Sequence, residues 1–140
     1  MLRNLALAFE EGGYHNYAEQ YARRAIAILE PRFGSKDVSL VPALNVIAEA
    51  YISKRRYEDG RRFAMRAAGI GPDAGPHYAT ALHNVAASYQ GEGKQKEAVE
   101  FYRKALEARE ATLPAGHPYI AVTRSALARV QKAESLSARR

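Results

Sequence analysis

The chain repeats itself, and this repetition restricts the fold more than any other feature of its 140 residues. Residues 2–9, 44–51 and 82–89 share one pattern: two large apolar residues three apart, alanine directly after the second, and an aromatic residue three positions later. A weaker fourth copy begins at Arg124. Apolar residues at i, i+3, i+4 and i+7 lie on one face of an α-helix. Each copy therefore predicts an amphipathic helix.

A second helix is predicted after each of the first three copies. Its marker is a pair of small residues seven positions apart, which two helical turns bring to the same face. The pairs are Ala18 and Ala25, Gly60 and Ala67, and Ala98 and Ala105. Small side chains at these positions allow two helices to pack at short range. Since a helical hairpin cannot bury its apolar faces alone, three hairpins in series predict an all-α solenoid.

Helix start and stop signals divide this solenoid into elements. Segments rich in glycine or proline, such as Gly12–Gly13 and 113–118, mark the expected turns. The helices are predicted at 2–12, 15–31, 37–53, 57–70, 75–91, 95–112 and 118–135. The repeats then span 2–43, 44–81 and 82–117, followed by a C-terminal capping helix over 118–135 and a frayed tail over 136–140.

These residues resemble the tetratricopeptide repeat, in its longer kinesin-light-chain-like form. The third copy carries the resemblance best, through Leu82, Asn84, Val85, Ala86, Tyr89, Gly93, Ala98, Tyr102, Ala105, Leu106, Gly116, His117 and Pro118. HEAT-type and armadillo repeats have similar lengths, but the small pair and the aromatic residue that closes each first helix favour the tetratricopeptide repeat. The resemblance implies a right-handed α-solenoid of three helix-turn-helix repeats whose first helices line a concave groove. It implies a protein–protein interaction module, since this family shares a scaffold rather than a reaction.

Residues beside the packing stripe of each first helix are then expected to face a partner peptide or helix. The polar candidates are Arg3, Asn4, Asn45, Glu49, His83 and Asn84, and the apolar candidates are Leu7, Val46 and Ile52. An asparagine side chain can donate to and accept from an extended peptide backbone. The alternative for Asn4 and Asn84 is a hydrogen bond to a neighbouring helix or to water. Apolar groove residues suit a partner helix or a second copy of this chain.

The positive charge of the chain is concentrated rather than uniform. The formal net charge is +6, and the segment 54–66 alone carries six basic residues against two acidic ones. This basic patch consists of Lys54, Arg55, Arg56, Arg61, Arg62 and Arg66. It offers an alternative function, the binding of an acidic polymer or nucleic acid. No aromatic interleaving or RNA-binding motif accompanies the charges, so a solvated helix face is the preferred interpretation.

No signature of an enzyme, a metal site or a cofactor site occurs in the sequence. The chain has no Cys, no two of its four His stand four apart, and the phosphate-binding glycine motifs are absent. His83 is the one histidine expected to face the groove, with Glu49 as a candidate acid beside it, and such a pair is usually structural. Neither a membrane span nor a signal peptide is present, which favours a cytoplasmic protein.

The first predicted helix has no polar helix before it to cover its outer side. Terminal repeats normally need such a cap. We therefore expect either a longer protein or an end that is buried in a homo-oligomer, and a purely structural oligomerisation unit is a further alternative function.

Overall fold

The computed structural model describes the backbone of residues 11–139 and the side chains of residues 16–139. Over this range the chain forms six α-helices and no strand, which confirms the all-α prediction. The helices are α1 (Glu11–Phe33), α2 (Val41–Ser53), α3 (Tyr57–Ile70), α4 (Pro76–Gly91), α5 (Gln95–Thr112) and α6 (Pro118–Ala138). Short 3-10 turns over Val38–Leu40 and Pro72–Ala74 precede α2 and α4.

The observed helix bounds agree closely with the prediction from residue 57 onward. Helices α3 and α5 begin and end where the sequence predicts, whereas α6 continues to Ala138 instead of ending at 135. Helix α2 begins at Val41 rather than at 37, because Asp37 caps the preceding 3-10 turn by accepting a hydrogen bond from the Ser39 amide at 3.0 Å. Pro42 then occupies the first turn of α2, where its missing N–H costs no hydrogen bond.

Helix α1 differs most from the prediction. The sequence predicts a turn at Gly12–Gly13, but both residues lie inside α1, which runs without a break from Glu11 to Phe33. This predicted turn is wrong. Glycine permits a turn without requiring one, and in a helix interior it costs only about 1 kcal/mol relative to alanine. The rest of the predicted helix over 2–12 lies outside the described residues.

The small residues mark the closest contacts between helices. Consecutive helices pack against each other in chain order, and Ala67, Ala98 and Ala105 are 0% exposed within these contacts. Gly60 is also buried, and a Cβ atom at this position would lie only 3.0 Å from the carbonyl oxygen of Ala48 in α2. The prediction that small residues bring the helices together is confirmed for α3 and α5.

The helices form two layers that alternate along the chain. Helix α2 contacts α4 as well as its sequence neighbours, and His83 of α4 shares a hydrogen bond with Thr123 of α6. We call α2, α4 and α6 the first-helix layer, because each opens a hairpin or, for α6, follows the last one. Helices α1, α3 and α5 form the second layer. The groove candidates of the sequence analysis that the structure describes all belong to α2 and α4, whereas the basic patch lies in the turn after α2 and in α3.

Candidate interaction surface

The first-helix layer presents equivalent positions on three successive helices. In the register of the repeat, Glu49 of α2 corresponds to Ala87 of α4 and to Arg129 of α6. Glu49 and Arg129 are exposed, and Ala87 is half-buried. The row therefore has an acid at one end, a base at the other and a small residue between them. A second row consists of Pro42, Thr80 and Val122, of which Val122 is 54% exposed.

Two asparagines that were expected to face a partner instead join helices of this layer. Asn45 is 3% exposed, and its Nδ2 donates to the carbonyl oxygen of His77 at 3.0 Å. Asn84 is 6% exposed, and its Nδ2 donates to Oε2 of Glu49 at 3.4 Å. Because α2 and α4 cover these amides, neither is presented as a free peptide-binding group. The expected role is corrected accordingly, and the interhelical alternative describes Asn84.

His83 belongs to a buried polar cluster between α4, α5 and α6. Its Nδ1 lies 3.2 Å from Oγ1 of Thr123, and its ring meets the Tyr102 ring edge-on at 5.1 Å between centroids. Burial, together with the nearby charge of Arg109, lowers the pKa of His83 to about 4. The imidazole is therefore neutral at pH 7 and accepts or donates one hydrogen bond at each nitrogen. Its low pKa makes this imidazole a weaker base than an ordinary histidine.

Arg109 is the centre of this cluster, and the sequence analysis did not identify it. The side chain is 5% exposed and forms no ion pair among the described residues. Its guanidinium donates to the carbonyl oxygen of Tyr119 at 3.0 Å, to Oγ1 of Thr80 at 3.4 Å and to Oγ1 of Thr123. These bonds connect the second layer to α4 and α6. The partners lie 10 to 29 residues away in sequence, so no local pattern could have indicated them.

Val46 and Ile52, the described apolar candidates, occupy different environments. Ile52 packs into the α2–α3 hairpin, since a Cβ atom on Gly60 would lie 2.8 Å from Cγ1 of Ile52. Val46 is half-buried and lines an open groove on the other side of α2. The remaining candidates, Arg3, Asn4 and Leu7, lie outside the described residues.

The groove beside Val46 lies between α1 and α2 and is almost entirely apolar. It is a shallow, open groove of about 410 Å³, and its lining includes Ala18, Tyr21 and Ala25 of α1 with Pro42, Ala43 and Val46 of α2. Tyr21 is 40% exposed. We call this feature the α1–α2 groove.

The basic patch 54–66 is largely paired with acidic side chains. Lys54 contacts Glu19 at 3.3 Å, Arg61 contacts Glu92 at 2.5 Å, and Arg66 pairs with Glu30. Arg56 and Arg62 both pair with Asp59, at 2.8 and 3.7 Å. Of the six basic residues, Arg55 alone forms no ion pair with the described part of the chain. This pairing reduces the positive field that an acidic polymer would encounter.

Neither a metal cluster nor a membrane helix is found in the described residues. No three His, Asp or Glu side chains in this range are arranged to hold a metal ion. Among these helices, none combines the length and the apolar character needed to cross a lipid bilayer.

Comparisons with known proteins agree with the geometry. Residues 79–119, which run from the first turn of α4 through α5 to the start of α6, match the family model of the tetratricopeptide repeat. No curated protein matches the chain.

Two similar crystal structures are of a Podosopora anserina protein designated a kinesin light chain with nearly identical TPR-like repeats. The first structure has 22% sequence identity to this chain and a TM-score of 0.76. The second, of a variant of the same protein, has 21% identity and a TM-score of 0.75. Both matches cover 94% of this chain but only 64% of the other. At this identity the likeness shows the fold, a TPR-like helical solenoid.

Proposed function

We propose that this chain, in which residues 79–119 match the tetratricopeptide repeat, binds a peptide or helix of a partner protein across the first-helix layer, without catalysis. The general role in this proposal, that of a protein-interaction module, rests on the repeat match and on the solenoid fold. Solenoids of stacked hairpins offer extended surfaces and no enclosed reaction site. A cytoplasmic location stays a prediction from the sequence.

The location of the binding surface is supported mainly by the row Glu49–Ala87–Arg129. Its two exposed charges of opposite sign flank a small residue, so a crossing segment can approach α4 closely while its own charges meet Glu49 and Arg129. Complementary rim charges of this kind orient a partner more than they increase its affinity. Val122 adds an apolar contact at the margin of the layer.

The buried cluster supports this surface from beneath. Arg109, Thr123 and His83 fix the spacing between α4 and α6, and Asn45 and Asn84 do the same between α2 and α4. A surface whose supporting side chains are already bonded loses little conformational entropy when a partner binds. The asparagines therefore act as positioning residues in the proposal rather than as peptide contacts.

Site-specific photo-crosslinking tests the location of the surface. A photoreactive amino acid is introduced at Ala87 in the proposed surface and, as a matched control, at exposed Lys104 of α5 in the second layer. The proposal expects a discrete crosslinked partner from the position-87 variant and none from the position-104 variant. Equal crosslinking at both positions, or crosslinking only at 104, would refute the assignment.

The alternative of acidic-polymer binding has a separate test. If the basic patch 54–66 bound nucleic acid, affinity would decrease steeply with salt as counterions are released. The ion pairs of five of its six basic residues lead us to expect no binding to a mixed-sequence RNA or DNA duplex in a gel-shift titration at low ionic strength.

A further inference from the structure

The α1–α2 groove is a helix-binding position that the described residues leave open. In the register of the repeat, Ala18 and Ala25 of α1 correspond to Gly60 and Ala67 of α3, which are buried. Ala18 and Ala25 are only half-buried, although they carry the same small-residue pattern. The difference is that α2 lies on Gly60, whereas no described helix lies on Ala18.

Helix α2 shows what such a position accepts. The Cβ position of Gly60 lies 3.0 Å from the carbonyl oxygen of Ala48, so Gly60 faces the alanine of the repeated stripe. The stripe in α2 consists of Leu44, Ile47, Ala48 and Tyr51. The α1–α2 groove has the same small-residue floor and an apolar lining, and we expect it to accept a segment with the same stripe.

One further segment of this chain has that stripe and lies outside the described residues. Residues 2–9 carry Leu2, Leu5, Ala6 and Phe9 at the spacing of the stripe in α2. The other two copies of the stripe already form α2 and α4. Residues 2–9 therefore match the groove in their sequence pattern.

The continuity of α1 indicates which molecule supplies this segment. In the two described hairpins, the chain reverses at Arg55 and Gly93, with φ values of 62° and 77°. The corresponding residue in the first repeat is Gly13, which lies inside α1. Because α1 is an unbroken helix at Gly13, the reversal that places a stripe over the small residues of its own chain in the other two repeats does not occur there.

We propose that the α1–α2 groove binds residues 2–9 of a second copy of this chain. The exchange is reciprocal: two α1 helices lie antiparallel near Gly12–Gly13, and each copy gives its segment to the groove of the other. Such an isologous contact closes on itself as a dimer. The exchanged segments reuse the groove contacts of a closed monomer, and the antiparallel α1 pair is the added contact. This inference does not depend on the proposed function, since it concerns a different face of α2.

Cysteine pairing tests the exchange in the full-length chain, which has no Cys of its own. In the register of the repeat, the contact between Ala48 and Gly60 corresponds to one between residues 6 and 18. Chains with Ala6→Cys are mixed with chains with Ala18→Cys, unfolded, refolded together and oxidised under mild conditions. We expect a covalent dimer in the mixture and a much weaker one with either variant alone. Ala6→Cys mixed with Lys104→Cys is the matched control and should give only background.

The chain with both Ala6→Cys and Ala18→Cys distinguishes the source of the segment. A second copy gives dimers on a denaturing gel, and this result supports the proposal. A crosslink within single chains shows that the segment folds back, and it overturns the proposal, as does the absence of any crosslink above the control.

A mass measurement provides an independent readout. By light scattering at a concentration where the parent has the mass of two chains, Ala25→Glu in the groove should shift the mass toward one chain. The control Ala111→Glu, at an exposed position of α5, should not. A monomeric parent at high concentration would overturn the proposal.

Discussion

Arg55 and Gly93 occupy equivalent positions in two successive hairpins and adopt the same left-handed backbone conformation, with φ values of 62° and 77°. Each lies in the tight connection after a helix of the first-helix layer, α2 or α4, where the chain reverses to begin the next helix. Glycine adopts the left-handed conformation without a steric penalty. For a residue with a side chain, this conformation costs roughly 1–2 kcal/mol. The second hairpin thus forms despite an unfavourable residue at its turn.

Replacing this residue should stabilise the protein. Arg55→Gly is expected to raise the free energy of unfolding by about 0.5–1 kcal/mol, since it removes backbone strain at the cost of some unfolded-state entropy. Arg55 forms no ion pair among the described residues, so no such contact opposes the gain. Urea unfolding at pH 7 measures the change. The reciprocal control, Gly93→Arg, should destabilise by a similar amount, and a destabilised Arg55→Gly variant would contradict the explanation.

The close contact of α3 with α2 predicts a second, opposite glycine effect. Gly60→Ala should lower the free energy of unfolding by about 1–3 kcal/mol, because its Cβ would lie 2.8 Å from Cγ1 of Ile52 and 3.0 Å from the backbone oxygen of Ala48. Gly69→Ala in the same helix is the matched control. No heavy atom lies within 4 Å of that Cβ position, so alanine should be neutral or slightly stabilising. Thermal unfolding of both variants distinguishes steric crowding from helix propensity.

The low pKa of His83 predicts a loss of stability in acid. Burial and the charge of Arg109 hold the folded-state pKa at about 4, below the unfolded value of about 6.5, so the unfolded state binds the proton first. The neutral histidine is compatible with the fold above pH 6.5, and stability should decrease as the pH falls from there toward 4, by up to about 3 kcal/mol. His83→Gln should flatten this part of the pH profile of urea midpoints. An unchanged slope would contradict the assignment.

Arg109 should influence that titration directly. Arg109→Met keeps much of the buried volume but removes the charge that helps to lower the pKa of His83. The pKa of His83 is then expected to rise, although only part of the way, because burial is the larger cause. NMR titration of the His83 ring protons measures the shift. Arg103→Met, at an exposed position of the same helix, should leave the titration unchanged.

The fold could be predicted from the sequence because its signals are local. The apolar stripe and the small pairs fix α3, α4 and α5 to within one residue, and loop residues such as Gly116 and His117 fix the start of α6. At that start, Nδ1 of His117 accepts a hydrogen bond from the Tyr119 amide at 3.1 Å. The turn at Gly12–Gly13 could not be decided in this way, since glycine allows both a helix and a turn.

The candidate surface was less predictable, because exposure depends on which helix covers which residue. Asn45 lies off the packing stripe of α2, but the start of α4 covers it and accepts its hydrogen bond at His77. Arg109 is a charged residue on the buried face of α5, and its hydrogen-bond partners there include Thr80 and Thr123, which are distant in sequence. Long-range contacts of this kind leave no periodic signal.

Binding across the first-helix layer is the central claim, and titration calorimetry with the partner segment captured at position 87 tests it most directly. Glu49→Gln or Arg129→Gln should weaken binding at least several-fold at low ionic strength, whereas Glu107→Gln on the exposed face of α5 should not. Thermal unfolding establishes that the variants remain folded. Unchanged affinity in both layer variants, or an equal loss with Glu107→Gln, would contradict the account.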